Sequence, residues 1–195
     1  MVKRLLLDSG RQIGEIDGFA VVTGPGSYTG LRIGIGAVKG LCMGSGKGCA
    51  GVSALEAVAW NFSGSESTVC ACMHARQNLY YGAFFKTHAG GGVTRLASDR
   101  LIPLEELAVQ AAMSDGEPVI CAGDGGRAVA EAASTCGIAA GGRNANIQAA
   151  PLYMNRPSPV GIAMSAIAGG FYSPEELAAE YMSITKAEKD LGCKE

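Results

Sequence analysis

Apolar positions along the chain switch between helical spacing and short continuous runs. Val2, Leu5 and Leu6 fall on one helical face before Gly10, which predicts a short amphipathic helix over residues 1–9. The run Phe19 to Thr23 has the length and texture of a buried strand, and it leads directly into Gly24-Pro25-Gly26. From Thr29 the apolar positions continue to about Gly44, the pattern of a long helix placed at 29–46. Gly48 to Val52 reads as a second strand. Ser53 with Glu56 then forms a capping box that opens a helix from Ala54 to Phe62. Strand, glycine turn, helix, strand, helix is the order of an α/β unit.

Past the polar stretch 63–67 the pattern changes. Thr68 to His74, Leu79 to Lys86 and Gly92 to Ala97 read as successive strands of an antiparallel meander. A helix follows Pro103 from Leu104 to Met113. A strand from Pro118 to Ala122 then meets the turn Gly123-Asp124-Gly125-Gly126, and a helix runs from Arg127 to Cys136. Ser158-Pro159 and Ser173-Pro174 each set a cap residue before a proline at the first helical position, so two further helices are expected, the second supported by Glu176. The expected organisation is two α/β lobes, 1–65 and 66–195.

Composition narrows the function. Of 195 residues 29 are glycine, eight of them between Gly24 and Gly46, so the excess belongs to one loop and one helix. A net charge of -2 with scattered Lys and Arg offers no stripe for a phosphate backbone, which argues against direct nucleic-acid binding by this chain. The seven cysteines show no Cys-x-x-Cys and no zinc-ribbon spacing, and read as small buried hydrophobes in a reducing compartment. The apolar run Leu5 to Leu7 is too short for a signal peptide, and no stretch approaches the ~20 apolar residues of a membrane span. The expected setting is the cytoplasm.

The segment 24–36, GPGSYTGLRIGIG, is the most specific feature. Gly24, Gly26, Ser27, Thr29 and Gly30 form a glycine turn opening a helix, which can either cradle an anion at the helix N-terminus or simply join strand to helix. It lacks the Gly-Lys-Ser/Thr end of a P-loop, and its glycine spacing is not that of a dinucleotide fingerprint. Behind the turn, Gly30 and Gly34, then Gly36, Gly40 and Gly44, recur every four residues although each interior glycine costs about 1 kcal/mol. Such a face admits close approach of another backbone, with Leu31, Ile35, Val38 and Leu41 supplying apolar contact beside it. The approaching element is the chain's own sheet or a neighbouring helix, a helix of a second subunit, or each on a different face.

Elsewhere, Cys70, Cys72 and His74 share one face of a strand, but their separation of about 6.6 Å per pair suits one tetrahedral ion poorly. No metal or cofactor is expected. Asp124 in its glycine turn and Arg76 after a strand are positions where an anion could be met, with plain turn residues the simpler reading. Glu105-Glu106 and Glu175-Glu176 suit the first turns of helices rather than acid-base pairs.

Residues 24–41, GPGSYTGLRIGIGAVKGL, followed by GVSALEAVA at 51–59, resemble the signature of the TsaB (YeaZ) family of glycoprotease-like proteins. HARQNLYYGAFF at 74–85 is similar to the family's Asp-Ala-Arg strand-turn-strand, AGDGG at 122–126 to its Gly-Asp-Gly turn, and AAEYMSITKAEKD at 178–190 to its C-terminal tail. The resemblance implies a two-lobed actin-like (ribonuclease-H-like) ATPase fold without ATPase or protease activity. It also implies a scaffold for the TsaD catalytic subunit in threonylcarbamoyladenosine modification of tRNA, with the ATPase TsaE recruited through the complex and tRNA contacted only indirectly. The interface implied for the homodimer and for TsaD uses Val2, Leu5 and Leu6 of the first helix with Leu31, Gly34, Ile35, Gly36, Val38, Gly40 and Leu41 of the second.

Two departures qualify the resemblance. Family members open with a strand bearing Asp-x-Ser/Thr and a hairpin, whereas this chain begins in the first helix, so the N-terminal lobe is expected to lack its opening strands and to leave an open sheet edge or apolar surface that promotes association. His74 stands where the family has Asp, which removes any role resting on that carboxylate. The alternative function is a nucleotide-binding or hydrolytic enzyme of the actin-like superfamily, resting on the two glycine turns; the absent acidic strand counts against it.

Overall fold

Two sheets share one helix between them. A computed structural model describes residues 2–114, 118–139 and 146–182. The first sheet is β1 (Gly18–Gly24) and β2 (Gly48–Ser53), paired in parallel through the crossover helix α2 (Tyr28–Ser45), after a short α1 (Val2–Asp8). Its Phe19, Val21 and Cys49 pack with Leu31, Ile35 and Cys42 of α2 on one face. Ala20, Ala50 and Val52 pack with Ala57 of α3 (Ala54–Ala59) and Ala166 of α6 (Pro159–Gly169) on the other.

The second sheet is mixed. β3 (Ser67–Arg76) pairs antiparallel with β4 (Leu79–Thr87), which carries β5 (Val93–Arg95) and β6 (Arg100–Pro103), and on its other side β3 pairs parallel with β7 (Val119–Ala122), then β8 (Ile147–Ala149). Helices α4 (Leu104–Ala112) and α5 (Gly126–Ala139) cover one face, meeting Cys70, Cys72 and Cys121. α3 covers the other, meeting Val69, Ala71 and Phe85. With both faces buried, β3 reads as an unbroken apolar run rather than an alternation.

Elements with their own start signal appear where expected. Ser53 caps α3 by accepting from the N–H groups of Leu55 and Glu56, and Ser158 caps α6 by accepting from Gly161 N–H at 2.9 Å ahead of Pro159. The helix expected after Ser173-Pro174 does not form. Residues 174–176 are turns, and no helix follows through residue 182, because Tyr172 bridges Cys49 of β2, Leu177 is buried with Leu31, Ile35 and Cys49, and the Glu180 N–H donates to the Thr23 carbonyl at 3.0 Å. A continued helix would withdraw these contacts from the sheet.

At Gly161 the approach of α6 to α3 needs the missing side chain: a Cβ there would sit 2.3 Å from the Ala57 carbonyl oxygen. No helix among the described residues is long and apolar enough to cross a membrane.

Candidate functional site

The glycine turn after β1 is half covered by the chain itself. Gly24 has φ +156, and a Cβ on it would lie 2.5 Å from the Glu180 carbonyl oxygen, so this glycine admits the returning C-terminal segment. Next to it the Tyr181 ring lies 4.9 Å from that of Tyr28, Arg32 donates from Nε to the Tyr181 hydroxyl at 2.9 Å, and its guanidinium sits 4.0 Å from the Tyr28 ring centre. Ser27 caps α2 by accepting from Gly30 N–H at 3.4 Å, while Gly26, Thr29 and Gly30 are exposed. The hollow beside the turn, about 130 Å³, is lined by Pro25, Gly26, Tyr28, Leu31, Glu180 and Tyr181 among others.

The α2 glycine pattern divides between two faces. Leu31 and Ile35 are buried in the chain's own core, Val38 packs against it, and a Cβ on Gly34 would touch Val21 of β1 at 3.4 Å. Leu41 is half-buried. Nothing lies within 4 Å of a Cβ placed on Gly36, Gly40 or Gly44, and Ile33 and Met43 beside them are exposed. α1 buries none of its residues: Leu5 and Leu7 are 68% and 67% exposed, and Val2 and Leu6 are half-buried. A seven-residue helix has little stability of its own in water.

Between the two sheets lies a cavity of about 650 Å³ in which Ser53, Glu56, Arg95, Asp99 and Ser165 bond to one another. Arg95 of β5 bonds Glu56 at 2.8 Å and also Asp99. Ser165 of α6 donates to the other Glu56 oxygen at 2.5 Å, and Ser53 donates to the other Asp99 oxygen at 2.5 Å. The four carboxylate oxygens of Glu56 and Asp99 are thereby occupied. Burial works against the Arg95 charge, and the bonds to Asp99 and Glu56 more than offset it, raising its pKa. A polyphosphate entering here would meet carboxylates whose cation is already engaged. No motif marks Arg95, Asp99 or Ser165 in the sequence, apart from the four-residue spacing of Arg95 and Asp99.

The second glycine turn serves packing. Asp124 accepts from the backbone N–H of His74 at 2.9 Å, and Asn155 accepts from Gly123 N–H at 3.1 Å, tying the turn to the end of β3. His74 itself is exposed, meets the Tyr80 ring edge to face at 5.2 Å, and its Nε2 lies 3.0 Å from the Gln77 carbonyl. Cys70 and Cys72 point into the core. Hydrogen bonds with Cys121 and Cys72, followed by burial, push the Cys70 thiol well up, as expected of an inert core thiol. Arg76 is exposed. Among the described residues no group of three His, Cys, Asp or Glu side chains is placed to hold a metal ion.

Residues 1–183 match the family model described as TsaD: tRNA N6-adenosine threonylcarbamoyltransferase. The chain belongs to this family. It is 37% identical over 94 residues to the tRNA threonylcarbamoyladenosine biosynthesis protein TsaB of Escherichia coli, covering 47% of this chain and 40% of that protein. With the Haemophilus influenzae TsaB it shares 34% identity over 84 residues, 42% of this chain and 35% of that protein. The matched stretches thus span well under half the length of these curated relatives. Two solved structures from Pseudomonas aeruginosa superpose on it. YeaZ has TM-score 0.72 at 26% identity over 93% of this chain and 80% of its own. A protein described as similar to peptidase YeaZ has TM-score 0.73 at 25% identity over 94% and 81%. The resemblance to TsaB (YeaZ) carried by residues 24–41 and 51–59 is therefore shown, and the fold is the α/β, actin-like (ribonuclease-H-like) one. The part of the tail match beyond residue 182 lies outside the described residues.

Proposed function

We propose that this chain is a non-catalytic scaffold subunit in tRNA threonylcarbamoyladenosine biosynthesis, which dimerises and binds a TsaD-type catalytic subunit through α1 and the outward face of α2. The observation that carries the reading is that face. Gly36, Gly40 and Gly44 leave open backbone between exposed Ile33 and Met43, and the unburied α1 offers Leu5 and Leu7. Open glycines allow helix axes to come close, and exposed apolar side chains around them supply the burial that holds a helix pair. Leu31 and Ile35 belong to the chain's own core, so the partner-facing set is Leu5 and Leu7, with half-buried Val2 and Leu6 beside them, and Ile33, Gly36, Gly40 and Met43.

The internally bonded cavity and the covered glycine turn support a scaffold over a nucleotide hydrolase, since neither presents an unengaged cation to phosphate. RNA contact, recruitment of a TsaE-type ATPase and chemistry fall to the partners, and the setting is the cytoplasm. The test is co-purification with a TsaD homologue from the same source, with and without Gly40→Arg. The wild-type chain is expected to hold the partner on a sizing column and Gly40→Arg to release it while keeping its circular dichroism. Failure of the wild-type chain to retain TsaD, or Mg-dependent ATP turnover by the chain alone, overturns the reading.

A further inference from the structure

Charge is distributed unevenly along the chain. Between Asp17 and Glu56 there is no Asp or Glu, while Arg32, Lys39 and Lys47 stand there, in a chain whose net charge is -2. Within α2 the only charged residues are Arg32 and Lys39, both basic.

Helical geometry makes that charge one-sided. Positions seven apart on an α-helix lie only about 20° apart around the axis. Arg32 and Lys39 therefore share one flank of the open face formed by Ile33, Gly36, Gly40 and Gly44, and the opposite flank, Ala37 and Leu41, is uncharged. Arg32 is exposed and held in place, its guanidinium over the Tyr28 ring and its Nε bonded to the Tyr181 hydroxyl. Lys39 is half-buried, and among the described residues no carboxylate pairs with it. A cation at the edge of an apolar face loses hydration when a partner docks, and an opposite charge on the partner offsets that loss.

Resting on the docking role proposed for this face, we infer that α2 selects a helix of the TsaD-type subunit that carries carboxylates beside its apolar stripe, and that it disfavours a second copy of this chain. Charged positions flanking a helix seam set partner choice and orientation. When two α2 helices pair antiparallel, like flanks meet. With the two-fold axis between Ile35 and Gly36, Arg32 of each copy falls opposite Lys39 of the other, and neither helix supplies an anion. Parallel pairing sets the basic flank against Ala37 and Leu41, which leaves both cations dehydrated and without a counter-charge. An acidic partner flank answers both cations, and its long-range attraction also speeds encounter.

The experiment measures two affinities side by side by sedimentation, for a TsaD homologue from the same source and for self-association, at about 50 and 500 mM NaCl. Salt should weaken the TsaD complex and strengthen self-association, because it screens an attraction in one and a repulsion in the other. At low salt Lys39→Glu should weaken TsaD binding by about tenfold or more and tighten self-association, since the new carboxylate meets Arg32 of the other copy. Simple damage to α2 would weaken both. The inference is overturned if TsaD binding is indifferent to salt and to Lys39→Glu, or if the substitution weakens both associations alike. Salt-indifferent binding sinks this inference alone, whereas a wild-type chain that never binds TsaD overturns the scaffold reading with it. The salt series uses the wild-type chain, so it decides the matter even if Lys39→Glu folds poorly.

Discussion

Replacing Arg95 with Met tests whether the cavity network holds the two sheets together. Arg95 lies on β5, while its partner Glu56 lies on α3, which packs on both sheets and is bonded in turn by Ser165 of α6. Removal leaves two carboxylates without a cation, each still holding one serine hydroxyl. Asp99 is 7% exposed and Glu56 25%, so the Asp99 charge in particular cannot recover full hydration. Breaking a fully buried pair costs about 3–5 kcal/mol, and an exposed pair about 0–1 kcal/mol. With Arg95 at 32% exposure the expected loss is about 2–3 kcal/mol, including the cation–π contact with the Phe85 ring at 4.7 Å. That is a large part of the ~5–15 kcal/mol that holds a domain folded.

The assay is urea unfolding followed by circular dichroism, with the slope checked for constancy. Adding Asp99→Asn to Arg95→Met removes the more buried of the two orphaned charges, so the double variant should recover about 1 kcal/mol relative to the sum of the single variants. A single-variant loss below about 0.5 kcal/mol, or strictly additive losses, would refute the view that this network bridges the sheets under desolvation.

Two further predictions concern packing and pH. Gly161→Ala gains helix propensity of about 1 kcal/mol but drives a Cβ to 2.3 Å from the Ala57 carbonyl. A net destabilisation of about 1–3 kcal/mol is expected in the same unfolding assay, and a stabilised variant would disprove the close approach of α6 to α3. Glu66 is held below the ordinary glutamate range by the Ala89 N–H and then by Lys86. A carboxyl with a lowered folded-state pKa contributes stability above its unfolded value and loses it as pH falls through the folded one. Wild type should therefore exceed Glu66→Gln in urea midpoint at neutral pH, with the gap closing as pH falls through and below the ordinary carboxylate range; a gap independent of pH would contradict the assignment.

Much of the local structure was legible from residues that act on their neighbours. Ser53, Ser158-Pro159 and the glycine turn after β1 carry their start and stop signals within a few positions, and α3, α6 and α2 begin where those signals stand. Ser173-Pro174 carries the same signal and fails, because Leu177 and Glu180 are drawn onto β1 and β2 by contacts distant in sequence. β6 and β8 were missed for a related reason: strands of four and three residues have too few positions to show a period and exist only as edges for β4 and β7.

By itself the sequence determined the α/β alternation and the glycine-faced helix, since spacing along the chain is enough for both, while the family was legible only as a resemblance over residues 24–41 and 51–59. Tertiary structure alone decided which α2 residues face inward, that residues 180–181 cover the glycine turn, and that Arg95, Glu56, Asp99, Ser53 and Ser165 close on one another. The physical reason is the same throughout. A helical repeat states which positions share a face, but only the packing of that helix against distant strands states which face is hidden, and hydrogen bonds across 39 to 109 residues leave no local pattern to read.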